Sequence, residues 1–471
     1  MGKGTKESPW LATDAMTLAR EMFESNMFTR EGGRQGLWSF RRHFLVWEAG
    51  RWKRVEWDGM VDRVLLGLEG THQMVGGPTT IKTMEMSPRK AEDVVRCLKA
   101  ISACEVDVLP RWMGEEVKTA PGTSIGFLDK VVDVAGGGLE VVERDEGWLD
   151  PFVVPVEWEK AKDAECPTWE KCLREWGEGE DWRELAGRVV GYLMMGHRRY
   201  HKLFLLQGLG RGGKSTFDGV VRMLCGGGYF STDSRRLGDS FGLENAVGMK
   251  VIGVQEAHNL TGNEGEATAS VIKRVLSGDP LEVNGKNVRA TAGVRVHAAV
   301  VMVSNPIPRL PDHGLGISAK MVPLPFLNTF LGAEDFELEE KLRRELAGVA
   351  RWAVEGARRL EGEKEAAKKW TLTAGGKEIL ERYRLLSNLW DSFLEDRFVK
   401  SGDGWVLGEI VLELWGQWVA ENGIKEYVPK NHVLARIVSE STWGVRKGQV
   451  GGGRERGRVA LFGVGVRAVR V

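Results

Sequence analysis

One short glycine-rich segment constrains the fold of this chain more than any other feature. Residues 208–215 read Gly-Leu-Gly-Arg-Gly-Gly-Lys-Ser and fit G-x-x-x-x-G-K-[ST] at every defined position. The apolar run 203–206 precedes them, and a helical pattern over 217–224 follows. Glycines let backbone N–H groups turn inward around phosphate oxygens, and a helix N-terminus favours an anion. The segment therefore predicts a strand, a phosphate-binding loop and a helix.

The residues of this loop predict a site for ATP and Mg²⁺. Lys214 supplies a positive charge for the phosphates, and Ser215 supplies a hydroxyl ligand for Mg²⁺. The predicted nucleotide-binding residues are Gly208, Gly210, Gly212, Gly213, Lys214, Ser215 and Thr216. A glycine-rich turn can match the pattern by chance, but here the strand, loop and helix patterns agree.

Composition gives only broad limits on function. A chain of 471 residues is too long for one hydrophobic core, so we expect several domains. Lys plus Arg and Asp plus Glu both number 66, so net charge neither indicates nor excludes a nucleic-acid partner. The five cysteines lack zinc-site spacing and are expected to be reduced packing residues. With no apolar stretch of membrane-spanning length, we expect a cytoplasmic protein of a bacterium or an infected host cell, without a membrane partner.

Pattern changes divide the chain into five regions. We predict an N-terminal α+β accessory domain, a connector, a P-loop ATPase core with an α/β fold, a helical region and a small terminal module. Their predicted bounds are 1–114, 115–168, 169–333, 334–400 and 401–471.

Two polar residues stand directly after apolar strand patterns. Glu256 follows the strand predicted at 250–254, and its carboxylate can activate water and bind Mg²⁺. Asn305 follows the strand predicted at 297–303, and its amide can orient the attacking water. Carboxyl ends of parallel strands meet at one sheet edge, so we expect both beside the phosphate loop. Each also has an ordinary interpretation, as a solvated loop residue or as the start of an Asn-Pro turn.

A hairpin signal lies between these two strands. Asn284-Gly285 between Val283 and Val288 predicts a tight turn with Lys286 near its tip. A lysine in such a place is usually only solvated. In an ATPase core, however, a hairpin can reach a central channel, and Lys286 is then predicted to contact DNA phosphates.

The order of these motifs resembles that of superfamily 3 helicases, and more narrowly the phage and plasmid primase-helicase family related to the poxvirus primase-helicase. The resemblance rests on 208–216, 254–256, 277–279, 304–308 and Pro323-Leu324-Pro325-Phe326. It implies an AAA+-type core that hydrolyses ATP with Mg²⁺ as a homo-oligomer, usually a hexamer. The family translocates 3′ to 5′ on single-stranded DNA, and the partners implied are origin DNA and a separate primase or replication initiator.

Three departures from that family matter. Many relatives have two adjacent acids where this chain has Gln255 before Glu256, so Mg²⁺ is expected to depend more on Ser215, water and phosphate oxygens. The trans-acting arginine of the family is replaced by Lys320, which cannot form a bidentate fork, and Arg309 is the next basic candidate. The roughly one hundred residues before the connector leave no room for a primase domain, so primase activity is not expected.

The terminal module is locally basic. Arg446, Lys447, Arg454, Arg456 and Arg458 follow a helical pattern over 430–439. The arrangement resembles a winged helix, in which a helix enters a DNA groove and a basic wing follows the phosphates. The alternative is a solvated basic terminus.

The sequence thus favours a replicative DNA helicase of a phage, plasmid or integrated element. The main alternative is a protein that uses ATP to bind or melt an origin, or to load another helicase, with little processive unwinding. An RNA helicase on the same core is a second alternative.

Overall fold

A five-stranded parallel sheet lies in the middle of the chain, with smaller α+β units before and after it. The structure, a computed structural model, describes residues 4–11, 14–25, 27–28, 35–41, 43–75, 80–104, 106, 108–113, 117–120, 122–197, 199–238, 243–255, 262–285, 288–312, 315–424, 428 and 430–467. Among these residues, no helix is both long and apolar enough to cross a membrane.

The N-terminal unit packs three helices on a small antiparallel sheet. Its elements are α1 (Ala15–Glu24), β1 (Leu37–Phe40), β2 (His43–Glu48), β3 (Arg51–Val55), α2 (Trp57–Leu68), β4 (His72–Met74), β5 (Ile81–Thr83) and α3 (Pro88–Ile101). The side chains of Asp14 and Ser87 accept hydrogen bonds from the first turns of α1 and α3, which fixes where these helices begin. The apolar helix faces share one core with β1, β2 and β3.

The connector consists of short strands, as its Val pairs and Gly residues predict. β6 (Arg111–Trp112) lies just before the predicted start of the connector, which contains β7 (Ser124–Gly126), β8 (Lys130–Asp133), β9 (Glu140–Glu143), β10 (Trp148–Leu149) and α4 (Trp158–Ala161). β7, β8 and β9 form an antiparallel sheet in that order, and β6 pairs with β10.

The central unit contains the predicted parallel α/β sheet. Its elements are α5 (Pro167–Trp176), α6 (Gly179–Met195), β11 (Leu203–Gly208), α7 (Lys214–Leu224), β12 (Tyr229–Asp233), α8 (Ser234–Leu237), β13 (Val251–Gln255), α9 (Gly262–Ser277), β14 (Leu281–Gly285), β15 (Val288–Val294), β16 (Ala299–Ser304) and β17 (Met321–Phe326). The sheet has the order β12-β13-β16-β11-β17, and every neighbouring pair is parallel. All their carboxyl ends therefore meet at one edge.

Two strands of this sheet, β12 and β17, lack the apolar runs that predict the other three. β17 includes Pro323 and Pro325, residues that usually argue against a strand. It lies at the edge of the sheet, with β11 as its single neighbour there. Successive residues of a strand turn their backbone nitrogens to opposite sides, so two prolines two residues apart face the same side and can both face the open edge.

The remaining elements form a helical layer and a final small unit. They are α10 (Leu338–Arg344), α11 (Leu346–Gly362), α12 (Ala374–Ser387), α13 (Leu389–Arg397), β18 (Phe398–Leu407), α14 (Gly408–Glu421), α15 (Lys430–Glu440), β19 (Arg446–Gln449) and β20 (Val459–Val466). α11 packs tightly on α6, and a Cβ on Gly356 would lie 2.1 Å from the Gly187 carbonyl oxygen. The last unit has a β18-β20-β19 sheet, and its core includes Trp390 stacked on Trp415 with ring centroids 4.5 Å apart.

A buried ion pair joins the connector to the central sheet. Lys250, directly before β13, has its Nζ 3.0 Å from Asp150 Oδ2 and also donates to the Phe152 carbonyl oxygen at 2.6 Å. The two charged side chains are only 4% and 1% exposed. Removing one partner of such a pair leaves an uncompensated charge in a dry environment.

We therefore predict that Lys250→Met lowers the free energy of unfolding by about 3–5 kcal/mol, since it leaves Asp150 buried without its cation. Urea denaturation followed by tryptophan fluorescence measures this loss. Arg343→Gln, which breaks the exposed pair of Arg343 with Glu339, is the control and should lower it by less than about 1 kcal/mol. Equal losses for the two variants would show that the buried pair is not needed for docking of the connector.

Candidate functional site

The phosphate loop joins β11 to α7 and is held between close neighbours. Gly213 has φ +90°, and a Cβ there would lie 2.1 Å from Nε1 of Trp176 on α5. A Cβ on Gly208 would lie 2.1 Å from the carbonyl oxygen of Phe326 on β17. Only glycine fits at these two places, so the loop backbone has the tight curvature that an anion site requires.

Lys214 lies at the centre of this curve. Its side chain is buried, and Nζ donates to the carbonyl oxygens of Gly208 at 2.9 Å and Leu209 at 2.6 Å. Burial lowers the pKa of Lys214, because a dry environment disfavours the ammonium ion. Phosphate oxygens would compensate this charge better than neutral carbonyls do, so the loop as it stands is suited to accept an anion.

A cavity of about 1470 Å³ opens in front of the loop, larger than the roughly 300–1,000 Å³ of typical small-ligand sites. The carboxyl ends of β12, β13 and β16 form one wall, and α5 with the segment 330–338 forms the other. Its lining includes Gly210, Gly212, Gly213, Lys214, Ser215, Thr216, Gln255 and Asn305. The space accommodates a molecule with a polyphosphate chain and a bulky group beyond it.

Asn305 reaches the cavity from β16, the strand beside β11. Its carbonyl oxygen accepts a hydrogen bond from Nε2 of Gln207 at 2.8 Å. A Cβ built on Gly210 would lie 3.8 Å from Asn305 Nδ2, so the side-chain amide faces the phosphate loop. The structure thus places Asn305 where the sequence predicts it, while its role in orienting water stays a prediction.

Gln255 ends β13 in the same cavity, and its amide is anchored to α7. Its Nε2 donates to Asp218 Oδ2 at 2.9 Å. The buried Asp218 also accepts from the Tyr229 hydroxyl and lies 3.2 Å from an Arg222 guanidinium nitrogen. Burial and the adjacent Asp218 charge raise the pKa of Tyr229 well above its usual value.

Several polar or aromatic residues at this site were missed by sequence reasoning. Asp233 lines the cavity at the end of β12, and its carboxylate accepts hydrogen bonds from the first turn of α8. Phe336, 93% exposed, and Lys171 lie on the opposite wall. Asp233 could have been found only if the short strand before it, β12, had been predicted. For Asp218 a signal was present, because it lies four residues after Lys214 on the predicted helix.

Oxygen donors suited to Mg²⁺ are present, although the described residues contain no group of three His, Cys, Asp or Glu side chains placed to bind a metal ion. Ser215 is exposed at the start of α7 and lines the cavity, as does Gln255. Hydroxyl, amide and water oxygens are acceptable ligands for Mg²⁺, which also takes phosphate oxygens and keeps several waters. The site therefore fits a Mg²⁺–nucleotide. Glu256, the second predicted metal ligand and predicted base, lies outside the described residues.

The hairpin predicted between the strands is present as β14 and β15. Gly285 pairs with Val288, so the predicted hairpin is confirmed, although Asn284 and Gly285 lie in a strand and not in a turn. The Asn-Gly pair instead ends β14. Lys286 itself lies outside the described residues, so its predicted DNA contact stays a prediction.

Lys320 lies far from the phosphate loop of its own chain. It directly precedes β17, whose six residues span about 20 Å to the edge where the loop lies. Its Nζ donates to Ser277 Oγ at 2.9 Å, at the end of α9. Asp312, buried, accepts from the backbone N–H groups of Ile317 and Ser318 and so shapes the turn before Lys320. Within one chain, Lys320 and the cavity do not meet.

The basic residues of the final unit are not equivalent. Arg446 and Lys447 are exposed on β19, and Arg454 and Arg456 are exposed in the segment between β19 and β20. Arg458 instead pairs with Glu409 and Glu455, and these hydrogen bonds raise the pKa of its guanidinium. Four of the five predicted DNA-binding residues of this unit are therefore better placed than Arg458 for an external anion.

A family model matches part of the chain, and solved structures that are similar to it include the following. A family model described as a family of unknown function, DUF5906, matches residues 206–314. No curated protein sequence gave a significant match. Among solved structures, an A-form apo structure of the NrS-1 C-terminal region has a TM-score of 0.45 and 10% identity, covering 91% of this chain and 96% of that one. Another apo structure of that region has a TM-score of 0.45, 11% identity and the same coverage.

Proposed function

We propose that this chain is an ATP-hydrolysing DNA helicase of superfamily 3 that acts in replication of a phage, plasmid or integrated element. One observation carries the proposal. The buried Lys214 lies in a tight glycine loop between a parallel strand and a helix, and the Asn305 amide from the adjacent strand faces the same cavity. This combination supports binding and hydrolysis of a nucleoside triphosphate.

The strand order supports an AAA+-type P-loop core. In the order β12-β13-β16-β11-β17, the strand that ends at Asn305 lies between the strand of the phosphate loop and the strand that leads to Glu256. An acid after β13 and an amide after β16 would then approach the terminal phosphate from neighbouring positions.

We assign each task to a residue of this chain. Lys214, Ser215 and the loop N–H groups hold ATP and Mg²⁺, and Mg²⁺ when bound neutralises charge on the phosphate oxygens. Asn305 orients a water molecule, and Glu256 accepts its proton. Trp176 and Phe326 pack behind the loop and keep its shape fixed, so that the N–H groups are oriented before the nucleotide arrives.

The position of Lys320 supports a ring of several copies. Because it lies at the opposite edge of the sheet from its own cavity, it can contact a nucleotide only in another copy of the chain. We propose that Lys320 supplies positive charge to the neighbour's ATP in a homo-oligomer, a hexamer as the resemblance implies. Arg309, the other candidate, is 9% exposed, and burial lowers the pKa of its guanidinium, so it is less suited to such a contact.

The final unit has features that support a winged helix. α13 precedes β18, the helices α14 and α15 follow it, and β19 and β20 complete a β18-β20-β19 sheet. We propose that α15 contacts a DNA groove, while the basic segment between β19 and β20 follows the phosphates. The Lys286 hairpin would contact single-stranded DNA in the ring.

A second function is favoured by a specific observation. Gln255 stands where many relatives have an acid, and Lys320 stands in place of arginine, so hydrolysis could be slow. The chain would then be an ATP-dependent protein that binds or melts an origin, or that loads another helicase. ATP turnover stimulated severalfold by single-stranded DNA, together with strand displacement, supports the helicase. Absence of both supports the second function, and displacement confined to RNA duplexes supports an RNA helicase.

We predict that Lys214→Ala reduces ATP turnover at least about 100-fold, because it removes a charge directed at the phosphates. Phosphate release measures turnover, and circular dichroism checks the fold. Lys171→Ala is the matched control, since this lysine lines the same cavity with a side chain that is 70% exposed. Unchanged turnover in purified Lys214→Ala would remove the central claim.

For Lys320 we predict that the specific ATPase activity of the wild type rises with protein concentration, because the charge acts between copies. An excess of Lys320→Ala mixed into wild type should lower activity more than dilution does. Lys377→Ala, which changes an exposed lysine of α12, serves as the control. If Lys320→Ala matches the wild-type rate at every concentration, another residue supplies the charge.

In the final unit, the double variant Arg454→Gln/Arg456→Gln should weaken DNA binding and make its salt dependence shallower. The slope of log K against log salt falls by roughly 0.7–0.9 for each phosphate that the protein no longer neutralises. Arg458→Gln should change the slope less, because Glu409 and Glu455 already neutralise Arg458. Fluorescence anisotropy over a salt series measures both, and a larger effect of Arg458→Gln would contradict the proposed surface.

A further inference from the structure

A hydrogen-bonded group lies directly behind the proposed Mg²⁺ position. Asp218 is on α7, three residues after Ser215, and its side chain is 3% exposed. Because an α-helix has 3.6 residues per turn, Ser215 and Asp218 share one face of α7. Gln255 bridges from Asp218 to the cavity, since its Nε2 donates to Asp218 Oδ2 at 2.9 Å while the residue lines the cavity.

The partners of Asp218 fix which way the Gln255 amide points. A carboxylate can only accept hydrogen bonds, so the amide nitrogen of Gln255 must face Asp218. The Tyr229 hydroxyl donates to the other carboxylate oxygen, and Arg222 lies 3.2 Å from Oδ2, so the carboxylate is held from three sides. The amide oxygen of Gln255 therefore points away from Asp218 and remains available as an acceptor.

We infer that Asp218 is a positioning residue for a divalent cation, and that it acts through Gln255. It orients the Gln255 oxygen toward the cation or one of its waters, and it keeps a negative charge one hydrogen bond behind that oxygen. Carboxylates behind metal ligands act in this way, and their loss typically weakens metal affinity 10–100-fold. The inference rests on the proposed Mg²⁺–ATP site.

This arrangement explains how a glutamine can stand where relatives have an acid. The negative charge lies on the helix at Asp218, and the neutral Gln255 amide transmits it from there. A purely structural role for Asp218, joining α7 to β12 and β13, would make a different prediction. It would affect thermal stability without changing the Mg²⁺ requirement of nucleotide binding.

A swap of the two side-chain groups separates these roles. Gln255→Glu alone places two carboxylates at hydrogen-bond distance and should lower the thermal unfolding midpoint. The double variant Asp218→Asn/Gln255→Glu keeps the total charge, and its new amide can donate to the new carboxylate. We expect the double variant to recover the midpoint, because the hydrogen bond is restored in the opposite direction.

The second measurement is equilibrium binding of a fluorescent, non-hydrolysable ATP analogue to the full chain over a Mg²⁺ series and in EDTA. Asp218→Asn should raise the Mg²⁺ concentration for half-maximal binding by about tenfold and leave binding in EDTA unchanged. The double variant should need no more Mg²⁺ than wild type. Tyr229→Phe, which removes one hydrogen bond to Asp218 but no charge, should change the Mg²⁺ requirement less than about twofold.

The outcomes distinguish this inference from the proposed function. If wild type does not bind the analogue at any Mg²⁺ concentration, the proposed function fails. If wild type binds it with Mg²⁺ dependence but Asp218→Asn has the same Mg²⁺ requirement, only the role of Asp218 is overturned. A rise in the requirement for Asp233→Asn in place of Asp218→Asn would assign the role to Asp233, the carboxylate that lines the cavity from β12.

Discussion

The close packing of β17 and α5 against the phosphate loop is the constraint on which the rest of the structure depends. The Phe326 carbonyl oxygen and the Trp176 ring occupy the space that side chains at Gly208 and Gly213 would need. Held from both sides, the loop curves tightly enough to bury Lys214 against its own carbonyl groups. The charge is thus kept in a partly dry place, where its interaction with an anion is stronger than in water.

The same sheet separates the two proposed contacts with ATP. Parallel strands bring Asn305, Gln255 and the loop to one edge, while the turn shaped by Asp312 holds Lys320 at the other. A chain with this topology cannot bring Lys320 to the cavity at its own phosphate loop. In the proposed ring, Lys320 of one copy would meet the cavity of the next, which is the division of functions that a head-to-tail arrangement requires.

The sequence was sufficient to predict those parts of the fold and site that depend on local pattern. The strand, loop and helix around Lys214, the apolar strands before Gln255 and Asn305, and the hairpin at 281–294 all appear as predicted. β12 and β17 were missed, because one carries mainly polar residues and the other carries prolines. Both lie at the edges of the sheet, where β12 is only partly buried and where β17, although buried, needs N–H donors on one side only.

The contact between Asp218 and Gln255 shows why the rest of the site could not be read from the sequence. The two residues lie 37 positions apart, and neither has a pattern of its own. Considered alone, Gln255 is a neutral amide at a position where the family that the chain resembles often has an acid, and it suggests weakened Mg²⁺ binding. Considered with Asp218, Tyr229 and Arg222, it is a neutral amide oriented by a buried carboxylate, as the proposed role toward Mg²⁺ requires. Whether a substitution in a motif changes the chemistry of the site therefore depends on its three-dimensional neighbours. A charged side chain behind the motif can still act through the substituted residue.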